Sequence, residues 1–196
     1  MSAKPTLTFG LVTLGRAVTG IVAALIAALV VGAAPAHAAP AAPDVPSTIA
    51  VVGDFKPYLV GHAVGWQVHT CKPTATGYGW SFDGPAAALY GDNGKLLATH
   101  ASGPSWTARD GSSVVGQVVD RAVVSTTAVP WLLLTAGPQT GAPTGRLTDT
   151  THIQRIATTG GLTPAAAECT SGSVGETRWV PYTADYVFWK ATAADA

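Results

Sequence analysis

From residue 49 onward, no stretch of this chain keeps a helical period. Short runs rich in Val, Thr, Trp and Tyr are instead cut apart by Gly, Pro and an Asn-Gly pair, in a sequence of 196 residues that holds 22 Gly and 14 Pro. Glycine breaks a helix by its backbone entropy and proline by its missing N–H, so runs this short are ordered most readily as strands. An all-β fold of roughly eight to ten short strands is expected, as a β-sandwich or a flattened β-barrel.

Individual runs agree. Val64, Trp66 and Val68 alternate with Gly65, Gln67 and His69, the period-two pattern of a strand with one buried face. Ala86 to Tyr90 and Lys95 to His100 flank Gly91-Asp92-Asn93-Gly94, where Asn-Gly supplies the positive φ of a tight hairpin turn. Val114 to Val124 reads as a long strand. Pro130 to Leu134 is a continuous apolar run, as in a central strand covered on both sides. Thr151 to Thr158 and Thr183 to Lys190 complete the set, the last with Tyr186 and Phe188 on one face and Val187 and Trp189 on the other. Pro164 to Glu168 suits a helical turn.

The ends carry a different message. Lys4 and Arg16, an apolar run from Ala17 to Ala34, and then Ala36-His37-Ala38 form the pattern of a signal peptide over residues 1–38. The apolar run is just long enough to span a bilayer, but its Ala and Gly content and the small-residue site that follows favour cleavage over a retained anchor. With no cysteine near that site, a lipobox-type lipid anchor is excluded. Residues 39–48, mostly Ala and Pro, read as a flexible lead-in, 49–190 as one domain, and 191–196 as a disordered tail. Loss of Lys4 and Arg16 takes the formal charge from zero to −2, which leaves no basic footprint for nucleic acid or anionic membrane.

Cys71 and Cys169 are the only cysteines, and export would place them where thiols pair. A Cys71–Cys169 disulfide is expected, stapling an early strand to a late loop. With no C-x-x-C and no second ligand pair, a redox or metal role is disfavoured.

Several motifs recur in a fixed order: Gly65-Trp66-Gln67 with Cys71, Trp80, Gly103-Pro104-Ser105-Trp106 leading into Asp110 to Gly116, Pro130 to Leu134, Ile153-Gln154-Arg155 with Thr159-Gly160-Gly161, Cys169, and Val180 to Tyr186. Together they resemble a family of secreted bacterial and fungal proteins catalogued as domain of unknown function 3455, over about Ala50 to Lys190. The resemblance implies no activity. Some fungal members carry a malate dehydrogenase label, which this sequence does not support. A dinucleotide site needs a glycine-rich turn between strand and helix, whereas Gly160-Gly161 is followed by Pro164 and lacks an acidic residue at the required distance.

Residues able to carry chemistry crowd between His100 and Gly116. His100, Asp110 and Ser112 or Ser113 are the residue types of a hydrolase triad, in which imidazole takes the serine proton and carboxylate orients the ring. There is no G-x-S-x-G elbow, however, and Asp-Gly-Ser-Ser is equally what a turn requires. Arg155 shares a strand face with Ile153 and so points inward, which calls for an internal pair with Asp110, Asp120 or Asp185, or for a bound ligand. Trp106, between Gly-Pro and Arg-Asp-Gly, is expected on a loop or edge strand, with Arg109 and Arg155 facing a shared pocket. An exposed indole suits sugar stacking. His62, His69, His100 and His152 show no zinc spacing, and no EF-hand loop is present, so no metal or cofactor is assigned. These residues favour a secreted protein that binds an extracellular or cell-envelope ligand, carbohydrate being the first guess, over a secreted hydrolase or an envelope interaction protein.

Overall fold

The computed structural model describes residues 39–192; the expected signal peptide, 1–38, and residues 193–196 lie outside them. Eight strands form a closed antiparallel barrel in sequence order: β1 (Phe55–Thr74), β2 (Gly77–Tyr90), β3 (Leu96–Ala101), β4 (Ser105–Ala108), β5 (Ser113–Ala122), β6 (Trp131–Thr140), β7 (His152–Gly160) and β8 (Thr177–Ala191). Closure falls to the two longest strands: β1 pairs with β8 from Phe55 opposite Ala191 to Thr70 opposite Thr177. A closed barrel leaves no free edge, which answers the aggregation hazard of an open sheet. No α-helix occurs among the described residues, and Ala166–Glu168 is a single 3-10 turn.

The β2–β3 hairpin has Ala87 opposite His100 and Leu89 opposite Ala98, with Gly94 at φ 69° in its turn. Strand β1 presses against β2 at Gly65, where an added Cβ would lie 2.3 Å from the Ala86 carbonyl oxygen. Only glycine fits there.

Strand alternation decides the two ends of the interior. At one end, Leu89, Trp106, Val114, Leu134, Ile153 and Phe188 pack together. Leu147, from the loop joining β6 to β7, is fully enclosed and plugs this end. At the other end the inward side chains are polar. Gln67 and His69 of β1 are 2% and 3% exposed, while Val64 and Trp66 on the same strand are 59% and 46% exposed. The buried face of β1 is therefore the less hydrophobic one. Parity settles this, because Gln67 and His69 share it with buried Ala63 and with Cys71, which the disulfide holds. Cys71 and Cys169 are joined as expected, tying β1 to the segment after the 3-10 turn across a separation of 98 residues.

Of the expected lead-in, 39–48, Val45 packs against the barrel and most of the other residues are exposed. Val45 and Val51, with Phe55, cover the outer face of the barrel over Ile156, Val187 and Trp189. Ile49 is fully buried, and its carbonyl accepts a 2.7 Å bond from Gln154 Nε2, whose Oε1 accepts Trp189 Nε1–H at 2.9 Å. Val45, Ile49 and Val51 suffice for this clamp, and of these only Val45 falls inside the expected lead-in. The clamp also explains why β8 is apolar on both faces, and why Trp131 in the apolar run of β6 packs outward. Of the expected tail, 191–196, two residues are described: Ala191 belongs to β8, and Thr192 N–H donates to the Asp54 carbonyl at 2.9 Å. Strand β5 stops at Ala122, with Val123 and Val124 exposed beyond it.

Candidate functional site

At the end opposite the Leu147 plug, the barrel opens into a cavity of about 640 Å³. Its walls take Gln67 and His69 from β1, His100 from β3, Arg155 from β7, the 102–104 connection, Val129-Pro130 and Gly161 to Thr163. Strand parity directs each of them inward. A bulge between Ile156 and Thr159, with Ala157 at φ 49°, interrupts the pairing with β8 just beyond Arg155 before it resumes at Thr159 opposite Thr183. Bulges of this kind re-aim side chains at barrel rims.

Arg155 is the one full charge among the inward-facing strand residues that line this cavity. Its Nε and Nη2 donate to the Pro130 carbonyl at 3.1 and 2.8 Å. The carboxylates proposed as partners are engaged elsewhere: Asp185 bonds His62 at 2.7 Å, Asp110 holds a turn, and Asp120 accepts the Arg121 N–H. The expected internal ion pair is therefore not formed. Asp83, the acidic residue of the lining, is bound by Lys72 at 2.9 Å and by the Thr70 hydroxyl. Gln67 Nε2 and His69 Nδ1 are buried beside the cavity with no hydrogen-bond partner. A buried donor without an acceptor carries a desolvation cost of about 1–3 kcal/mol.

His100 sits at the base of the cavity. Its Nδ1 donates to the Ser105 carbonyl at 2.9 Å, which fixes the tautomer because a carbonyl can only accept. The ring stacks on Trp106 at 4.4 Å and meets Tyr186 edge-on at 4.9 Å. Burial pushes its pKa down from 6.5 to about 3, and the nearby Arg155 charge acts in the same direction. His100 is thus neutral, and its Nε2 lone pair is an acceptor. Burial likewise lowers His69 and raises the phenols of Tyr182 and Tyr186, whose hydroxyls lie 3.4 Å apart.

The sequence-predicted residues divide between the two ends. His100 and Arg155 meet at the cavity. Trp106 is beneath them, fully buried with its Nε1 unpartnered, so it offers no face to a sugar. Its expected exposure failed because the Gly-Pro before it makes a turn, while the residue itself begins a short inward-facing alternation on β4. Arg109 lines a separate cleft with Asp110, Lys95 and Arg146 and shares no pocket with Arg155.

Asp110 and Ser112 are a latch for the plug. Ser112 Oγ donates to Asp110 Oδ1 at 2.6 Å and accepts the Leu147 N–H at 3.1 Å, while Asp110 Oδ2 accepts the Arg146 N–H at 2.7 Å. The Ser112 hydroxyl and these backbone donors hold the Asp110 carboxyl down at about 2. Ser113 Oγ pairs with Thr140 Oγ1 at 2.8 Å. Neither serine bonds His100, and Asp110 orients no imidazole, so these residues do not assemble a triad. Gln67 and His69 are the polar strand residues of the lining that sequence reasoning passed over.

A family model described as a protein of unknown function, DUF3455, matches residues 52–190, which span the barrel from just before β1 into β8. The chain belongs to the DUF3455 family. No curated protein and no solved structure matches this DUF3455 chain. Among its described residues no group of three or more His, Cys, Asp or Glu is arranged to hold a metal. In this DUF3455 barrel Gly160 and Gly161 close β7 with positive φ and no α-helix follows, so the pyrophosphate geometry behind a dehydrogenase label is missing.

Proposed function

We propose that this protein is exported and holds a small molecule in the mouth of its barrel. The observation that carries the reading is Arg155, facing a cavity of about 640 Å³ with no carboxylate beside it. That volume is within the range of about 300–1,000 Å³ typical of ligand pockets, and apolar walls with a few convergent polar groups are their usual composition. The buried Gln67 and His69 side chains add polar character to the wall around Arg155. Export rests on the segment over residues 1–38 and is in keeping with the disulfide. Carbohydrate is the weaker ligand class, since Trp106 is enclosed and the half-exposed Trp66 and Trp179 lie on the outside of the barrel at 76° to one another. The hydrolase reading has no nucleophile–base pair to rest on.

The test is nuclear magnetic resonance mapping of the protein against a panel of sugars and organic acids. Shifts centred on Gln67, His69, His100 and Arg155, lost in a Val118→Trp variant that fills the mouth, support the reading. A panel that shifts nothing, or shifts only residues around Trp66 and Trp179, refutes it. Export is checked by N-terminal sequencing of the protein from culture medium, which should begin at Ala39.

A further inference from the structure

Granting the binding role proposed above, the residues around the mouth also restrict the ligand's charge and shape. Arg155 brings one positive charge into the interior, where it lies near His100, within hydrogen-bonding influence of the Tyr186 hydroxyl, and donates to the Pro130 carbonyl. A guanidinium in a largely apolar wall calls for an anion, and its planar fork matches a carboxylate. The other charges near the mouth are at its rim: Asp83 is neutralised by Lys72, and Arg121 is exposed. His69 and His100 are held neutral by burial and add no charge. A dianion would leave one negative charge uncompensated inside. Gln67, 2% exposed and part of the same wall, adds a neutral polar side chain there. Beyond these groups the wall is apolar, through Phe82, Pro85, Val129, Leu132 and Leu162.

We infer that the ligand is an apolar monocarboxylate, with its carboxylate against Arg155 and Gln67 and its hydrocarbon body along Phe82, Val129, Leu132 and Leu162. A polyol leaves the apolar wall in contact with hydroxyls, and a bare small anion such as acetate leaves it in contact with water. Only a molecule with both parts satisfies both parts of the cavity.

The experiment is calorimetric titration of the protein with octanoate, octanol and acetate. Octanoate should bind more tightly than either of the others, since octanol lacks the charge and acetate the body. Arg155→Leu should weaken octanoate about ten- to hundredfold, the worth of a charge-assisted hydrogen bond, and leave octanol unchanged or improved. Arg155→Lys should restore part of the loss, and melting curves verify that each variant is folded. Val118→Trp should abolish octanoate and octanol alike. Octanol binding as tightly as octanoate to the unaltered protein, or octanoate binding indifferent to Arg155→Leu, overturns the carboxylate assignment. If Val118→Trp still blocks octanol in that case, the mouth remains a binding site. Binding of neither octanoate nor octanol overturns the assignment alone when a sugar shifts the mouth residues, and overturns the binding role too when nothing does.

Discussion

His100 makes the fold sensitive to acid, and the size of the effect follows from where the ring sits. Its pKa lies near 3 in the folded protein against 6.5 for the free side chain, because the buried imidazolium would lose its water with no carboxylate to replace it. The folded value is depressed, so this site costs nothing above pH 6.5, and stability is lost as pH falls from there towards 3. At about 1.4 kcal/mol per unit, the loss is about 2 kcal/mol at pH 5 and about 5 kcal/mol once the folded-state value is reached. That is comparable to the whole stability of many domains. Burial lowers His69 and His152 in the same direction, whereas the two carboxylates on His62 raise its pKa and oppose them. The contribution of His100 is therefore isolated as a difference. Urea unfolding of the oxidised protein and of His100→Gln is followed at pH 7, 6, 5 and 4. The variant is less stable at pH 7, having lost the stack on Trp106, but its stability should fall less steeply, by about 1.4 kcal/mol per pH unit between pH 6 and 4. Parallel curves would show that His100 protonates as easily in the fold as in the unfolded chain, and the buried-neutral reasoning would be wrong.

Ser112→Ala removes the acceptor of the buried Leu147 N–H, which should cost about 1–3 kcal/mol and strip hydrogen-exchange protection from Leu147 and Thr150. Ligand binding at the mouth should be unchanged by it; a loss there would revive a role for Ser112 in the site. Replacing both cysteines by alanine opens the loop between Cys71 and Cys169 and should lower stability by up to about 4.7 kcal/mol, read from the urea midpoint. An unchanged midpoint would contradict the staple. Ile49→Ala should cost about 2–5 kcal/mol if the amino-terminal segment truly clamps the barrel, and a change within about 0.5 kcal/mol would mean that the segment is dispensable.

Much of the architecture could be read from local chemistry. The Asn-Gly turn set the β2–β3 hairpin, and a chain with two cysteines left one intramolecular pairing. Where the reading went astray, a non-local partner decided the outcome. Trp106 has the flanking residues of a loop, yet Gly116 on the neighbouring strand β5 has no side chain, and an added Cβ there would lie 3.0 Å from the indole. That absent side chain makes room for the ring inside the barrel, and it is invisible from residues 103–110 alone. Val45, Ile49 and Val51 acquire meaning only once β7 and β8 supply Gln154, Ile156, Val187 and Trp189 on an outer face. Two residues of the mouth were missed for the opposite reason. Gln67 and His69 look like the wet side of β1, and they face inward because the cavity is polar where the core is not. Arg155 alone signalled this, as an arginine in phase with Ile153.

The most direct test of a ligand site in the mouth is a crystal structure of the protein soaked with a mixture of sugars and small carboxylic acids. Ordered density for a carboxylate within hydrogen-bonding reach of Arg155 and Gln67 is the predicted result. A mouth that holds water alone, with the added molecules ordered instead around Trp66 and Trp179, would contradict it.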